Sequence, residues 1–165
     1  MDDDLHPESG LAKSVWDDTD FEDMGWHDAT VHGLYLQPTD LLPRLLLDLD
    51  YVVRWVHPER RSKSFSFWVA PVTLVFEEVW DLTGGLDLTS GIPTLEIADL
   101  HRLTPDDGRE EYPLWHVEGH EFDLRFRSDG FRQYFRQAPR HVPGPELSPT
   151  ERGGCAFTEA GFDGR

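Results

Sequence analysis

Between residues 44 and 56 the chain alternates. Leu45, Leu47, Leu49 and Tyr51 fall on one face of an extended segment, while Asp48 and Asp50 fall on the other beside Leu46 and Val52. A period of two is the signature of a β-strand. Thr30 to Leu36 (Thr-Val-His-Gly-Leu-Tyr-Leu) is β-prone, and Gln37-Pro38-Thr39-Asp40 after it reads as a turn. From Ser64 to Val79 the pattern turns apolar on both faces past Phe67, as in a strand covered on both sides. Pro71 within that run has no N–H to give to a ladder and marks a bulge, bend or edge. Leu95 and Ile97 alternate with Glu96, which selects a strand over a short helix for Leu95 to Leu103. Leu114, His116 and Glu118 alternate with Trp115 and Val117 in the same way.

The segment after Gly119 carries the strongest local signal. Phe122, Leu124, Phe126, Phe131 and Phe135 gather on one face, and Asp123, Arg125, Arg127, Arg132, Tyr134 and Arg136 on the other, with Asp129-Gly130 between the two runs. Asp-Gly favours a type I′ turn, so a two-residue hairpin is expected in which Arg127 faces Arg132. Beyond Ala138 come Pro139, Pro143, Pro145 and Pro149, then Gly153-Gly154. Ser148-Pro149-Thr150-Glu151 fits one capped helical turn, with Ser148 as N-cap, Pro149 at N1 and Glu151 at N3. The last dozen residues are expected to be mobile.

These elements predict a mainly β chain: one antiparallel β-sandwich or barrel-like sheet over residues 25–142 with little helix. It is flanked by a mobile acidic N-terminal arm (1–24) and an irregular Pro/Gly-rich C-terminal tail (143–165). The length of 165 residues suits one such domain. No run of about 18 apolar residues predicts a membrane span, Met1-Asp2-Asp3-Asp4 is unlike a basic signal-peptide start, and one Cys excludes an internal disulfide framework. A cytoplasmic location is expected, with no cofactor and no membrane partner.

The charge changes the functional picture. The formal net charge is −17, and residues 1–28 hold ten acids against one base, Lys13. Such an excess disfavours nucleic acid, whose phosphates need cations. It favours a basic protein as partner, steered by the field of the acidic run. Asp17, Asp18, Asp20, Glu22 and Asp23 are the candidate partner-binding residues, and Trp16 and Phe21 among them favour docking over a purely solvated arm. Monomer and dimer both remain open.

Three constellations bear on chemistry. His27, Asp28 and His32 are candidate metal ligands or an acid–base pair, although on a strand Asp28 and His32 share a face and His27 points away. Asp48 and Asp50 form a carboxylate pair, most simply read as a solvated sheet face. Arg125, Arg127 and Arg132 are candidate anion-binding residues. Like charges facing each other on a hairpin want a counter-anion, from Asp48 and Asp50, from the acidic arm, or from an external carboxylate or phosphate. Trp55, Trp68, Trp80 and Trp115 are candidates to line a ligand cavity, with core packing as the simpler role. No phosphate-binding glycine loop, nucleophile elbow or His-Glu-x-x-His motif occurs.

The stretch Trp26-His27-Asp28-Ala29-Thr30-Val31-His32, followed by Leu45-Leu46-Leu47-Asp48-Leu49-Asp50, resembles small bacterial β-rich families that include immunity proteins of the immunity-protein-50 type. The resemblance implies an antiparallel β domain whose first strand opens on an aromatic–His–Asp–Ala segment. It also implies a non-enzymatic module that binds a basic protein. The alternatives are a β domain binding a small anionic ligand, or a metal-dependent hydrolase built on His27, Asp28 and His32.

Overall fold

The computed structural model describes residues 3–61, 63–89, 91, 94–103 and 112–165. The strands among the described residues are β1 (Val15–Asp17), β2 (Thr30–Gln37), β3 (Arg44–Val56), β4 (Ser66–Glu77), β5 (Trp80–Leu86), β6 (Leu95–Leu103), β7 (Leu114–Gly119), β8 (Phe122–Arg127), β9 (Gly130–Phe135) and β10 (Arg140–Val142); β1, β5 and β10 lie where the sequence pattern predicts no strand. A single helical turn, α1 (Pro149–Arg152), closes on the capping box of Ser148 and Glu151. No helix among the described residues is long and apolar enough to cross a membrane.

All pairings are antiparallel, in the order β1-β9-β4-β3-β2-β6-β7-β8-β5, with β10 adding to β4. The sheet does not close into a barrel. It folds over on itself where, among the described residues, β2 and β6 are joined through two pairs, Thr30↔Glu96 and Val31↔Leu95. The alternating apolar face of β3, Leu45, Leu47, Leu49 and Tyr51, lies in one core with Trp115, Phe126 and Phe131. Phe76 of β4 meets Phe126 of β8 at 4.7 Å and Trp115 of β7 at 5.4 Å between ring centroids, so the two halves of the sheet pack face to face. Pro71 lies opposite Asp50 in one continuous strand, at the step where the neighbour of β4 changes from β10 to β9. Its carbonyl accepts from Arg136 on that side. An extended residue turns its N–H and C=O to the same side, so the missing donor falls in a gap in the ladder.

Three expectations are corrected. The Asp129-Gly130 hairpin does not form: β8 pairs with β7 and β5, and β9 pairs with β4 and β1, so Arg127 never faces Arg132. Neither Asp129 nor Gly130 has positive φ, so the I′ geometry is not used. Phe126 and Phe131 enter the same core from opposite halves of the sheet, and that burial overrides the local turn preference. Ser128 marks the crossing, buried and donating its hydroxyl to the Glu77 carbonyl.

The acidic segment is docked rather than solvated. β1 pairs with β9, and the 3₁₀ turn Asp18–Asp23 begins on a capping box between Asp17 and Asp20. Phe21 in that turn stacks on Trp26 (5.8 Å) and meets Trp115 edge-on (5.6 Å). Arg102 lies over the Phe21 ring and donates to the Asp18 carbonyl and the Glu22 carboxylate. The C-terminal segment is likewise ordered: residues 137–165 form a strap across the outer face of β3, β4 and β9. Val142 and Leu147 join Val52, Phe67 and Val69 in a second small core there.

Anchoring by Phe21 carries a measurable consequence. Phe21→Ala is expected to lower stability by about 2 kcal/mol, below the ~3–5 kcal/mol of a fully buried Phe. Urea unfolding monitored by tryptophan fluorescence reads the change, and an unaltered midpoint would mean that the arm contributes nothing to the fold.

Candidate functional site

The outer face of β3 places Asp48 and Asp50 under the strap, both at 0% exposure. They are not a solvated sheet face, and the correction has a specific cause. Arg152 of α1 donates to both: Nη2 and Nη1 to Asp48 at 2.6 and 2.9 Å, and Nε to Asp50 at 3.1 Å. Arg136 adds Nη2 to Asp48 at 2.7 Å and Nη1 to the Thr73 hydroxyl at 2.9 Å. The backbone N–H of Ala156 completes Asp48 (3.0 Å), and that of Leu147 with the His32 imidazole Nε2 (2.9 and 2.7 Å) completes Asp50. Burial pushes the Asp48 carboxyl up, but the hydrogen bonds from Arg152 and Arg136 outweigh it and hold the group below its ordinary value. Asp48 accepts four hydrogen bonds and Asp50 three, all from the protein itself, so the pair is arranged as a strut. Gly33 permits the approach of the strap, since a Cβ there would sit 2.6 Å from the Cys155 sulfur. The Cys155 thiol is raised by burial and by Asp48, the reverse of an activated nucleophile.

The predicted metal set does not assemble. His32 turns to Asp50, whereas His27 is largely exposed, bonded to the Ala98 carbonyl at 2.9 Å and stacked on Trp55. Asp28 has φ +67° in a turn closed by the Ala29 N–H on the Trp26 carbonyl. Asp tolerates that conformation better than most residues. Trp26 is itself a core pillar, its indole N–H donating to Gln133 at 2.8 Å. The aromatic–His–Asp–Ala segment therefore shapes the entry to β2 and the contact with Ile97 of β6. Beside it, Glu96 is raised by burial and by the neighbouring Asp28 carboxylate.

The predicted arginine cluster is dispersed as well. Arg125 lies near Asp123 (3.6 Å) and Arg127 near Asp81 (3.9 Å) on β8, while Arg132 sits on β9 opposite Asp17. The carboxylates beside Arg125 and Arg127 come from β8 and β5, and not from Asp48, Asp50 or the acidic arm. Of the acidic candidates, Asp17 and Asp20 cap the 3₁₀ turn, Asp20 also holds Lys13 at 2.8 Å, and Glu22 holds Arg102 at 3.3 Å. Asp18 and Asp23 make no ion pair among the described residues.

The tryptophans do not share a cavity; Trp115 is core, and Trp55, Trp68 and Trp80 pack against separate partners. A cavity of about 500 Å³ lies instead where the sheet folds over. Its walls are Leu34 of β2, Leu47 of β3, Leu82 and Leu86 of β5, and Phe122 and Leu124 of β8. Among the described residues β5 ends the sheet and past Val31 β2 pairs only with β3, so these two strands flank the cavity without bonding to each other. Gly84 makes the β5 wall: its φ is +156°, and a Cβ there would fall 2.0 Å from the Asp123 carbonyl. Leu34 (50% exposed) and Leu86 (66% exposed) stand at the mouth. His32 and Thr83 are the polar side chains among the lining residues, and His32 is committed to Asp50.

No protein-family model, curated protein or solved structure matches this chain. Sequence reading missed the cavity because its leucines, Leu95 of β6 included, come from five separate strands. It also missed the role of Arg152, which lies 104 residues from Asp48.

The strut predicts a stability profile. Arg152→Ala removes two hydrogen-bond donations from buried Asp48 and one from buried Asp50 and is expected to cost about 3–5 kcal/mol. Because the folded Asp48 carboxyl lies below its unfolded value, its contribution is complete above the ordinary Asp range near pH 4 and is lost as pH falls through the depressed folded value. Urea midpoints measured from pH 7 down to pH 3 should fall for the parent chain, and less steeply for Arg152→Ala. Parallel profiles would remove Asp48 from the account.

Proposed function

We propose that this protein is a non-enzymatic binding module whose cleft between β2 and β5 takes a small, uncharged apolar molecule. The observation that carries the reading is the cavity itself: about 500 Å³, walled by leucines and Phe122, and open at Leu34 and Leu86. That volume lies within the usual range of about 300–1,000 Å³ for small-molecule sites. Among the described residues no Asp, Glu, Lys or Arg side chain lines it, and His32 is held by Asp50, so an ionic ligand would lose its hydration without compensation. An alkyl chain gains roughly 0.8 kcal/mol for each CH₂ it buries. The absence of turnover is supported by the closure of the best carboxylate pair, Asp48 and Asp50, on Arg136, Arg152 and His32.

A second, compatible reading is an acidic surface that attracts a basic protein, favoured by the net charge of −17. The immunity-protein resemblance belongs with this reading. Asp18 and Asp23, which carry no structural ion pair among the described residues, are its natural contacts.

Decan-1-ol and the neutral dye Nile red are the probes for the cleft. Leu34→Asp with Leu86→Asp alters only exposed positions, so stability should change by no more than about 1 kcal/mol. The parent chain should bind decan-1-ol in the micromolar range and enhance dye fluorescence, and the double variant should lose at least tenfold in affinity. Absence of binding by the parent chain at the solubility limit of the alcohol overturns the reading. A dimer that dissociates in the double variant without any probe binding would reassign the cleft to contact between copies.

A further inference from the structure

The outer face of the other half of the sheet carries a second set of chemistry-bearing groups. On β7, Trp115 and Val117 point into the core, which turns His116 and Glu118 outward. The β6–β7 register sets His101 opposite His116 and Asp99 opposite Glu118. The β7–β8 register sets Asp123 opposite Glu118 and Arg125 opposite His116. The ligand atoms of His101, His116 and Glu118 all lie within 4.8 Å of one another. His101 Nε2 is 3.2 Å from Glu118 Oε2, and the two imidazole centroids are 5.4 Å apart.

We propose that His101, His116 and Glu118 bind one divalent transition-metal ion of the zinc class on the β6–β7 face. Two imidazoles and a carboxylate are the donor set of such ions, whereas calcium and magnesium take oxygen ligands. Donors held at about 2 Å around a tetrahedral ion stand roughly 3.3–3.5 Å apart, so the observed cluster closes on a metal by small side-chain rotations. Three protein ligands leave a fourth position for water or another group.

The surroundings suit a cation. Asp123 accepts from His116 Nε2 at 2.6 Å, which fixes the ring and leaves Nδ1 with its lone pair; such carboxylate–histidine contacts orient many metal ligands. Asp99 lies 4.0 Å from His101 Nδ1 and faces that ring in the same sense. Arg125 is the opposing cation on this face, drawn toward Asp123 at 3.6 Å. The three carboxylates of Asp99, Glu118 and Asp123 outnumber it. This site is separate from the apolar cleft and does not depend on the ligand proposed for it.

Isothermal titration of the full chain with zinc chloride near neutral pH tests the assignment, with native mass spectrometry for stoichiometry. One zinc per chain in the micromolar range is expected, with no response to magnesium or calcium. His101→Ala and His116→Ala should each weaken binding at least tenfold, and His27→Ala should leave it unchanged. Thermal unfolding provides the second readout: zinc should raise the Tm of the parent chain, and the rise should vanish in the two histidine variants even where their metal-free Tm is altered. Binding that survives both histidine variants, or no stoichiometric binding at all, overturns the proposal.

Discussion

The structure depends on the compensation of two carboxylates in the middle of its longest strand. Asp48 and Asp50 have lost all solvent, and an ionised carboxylate in that position is tolerable only when donors replace its hydration shell. The donors come from four places: His32 on β2, Arg136 just beyond β9, Arg152 on α1, and the backbone at Leu147 and Ala156. Meeting that need requires the C-terminal segment to cross the sheet, which in turn creates the second core of Val52, Phe67, Val69, Val142 and Leu147. A methyl-lined face could have been just as stable. What the ionic version supplies is a fixed register for the strap, since the planar guanidinium of Arg152 reaches both carboxylates from a single position.

The same strand shows how much was legible in advance. The period of two over residues 44–56 gives both the limits of β3 and its core face, because Leu45, Leu47, Leu49 and Tyr51 must leave water together. The mainly β architecture and the Ser148 capping box follow from equally local rules. What local rules miss is pairing at long range. Asp129-Gly130 carries a strong turn preference, yet Phe126 and Phe131 fill one core from two halves of a folded sheet, and that burial outweighs a turn preference. Net charge misled in a similar way. Ten acids suggest a solvated arm, but one Phe21 between Trp26 and Trp115, clamped by Arg102, is enough to dock it.

The candidate sites were harder to see, for a related reason. His116 and Glu118 can be placed on one strand face by alternation alone, but their partner His101 needs the β6–β7 register. The cavity needs the failure of β2 and β5 to pair, a property of topology that no single strand records. Conversely, the most conspicuous local motif, Trp26 to Ala29, is architectural. Its Trp is a pillar, its Asp holds a left-handed turn, and its His rests on the surface.

The distance along the chain between the strut and its partners has a consequence for synthesis. When β3 leaves the ribosome, the two arginines that neutralise Asp48 are 88 and 104 residues away. At translation speeds of about 5–20 residues per second, the strand spends several seconds with two carboxylates that no finished sheet can bury. During that interval water is their best partner, and the outer face of β3 stays hydrated while the inner face is free to collapse. Until that last segment arrives, covering the outer face of β3 would bury two carboxylates without their arginines.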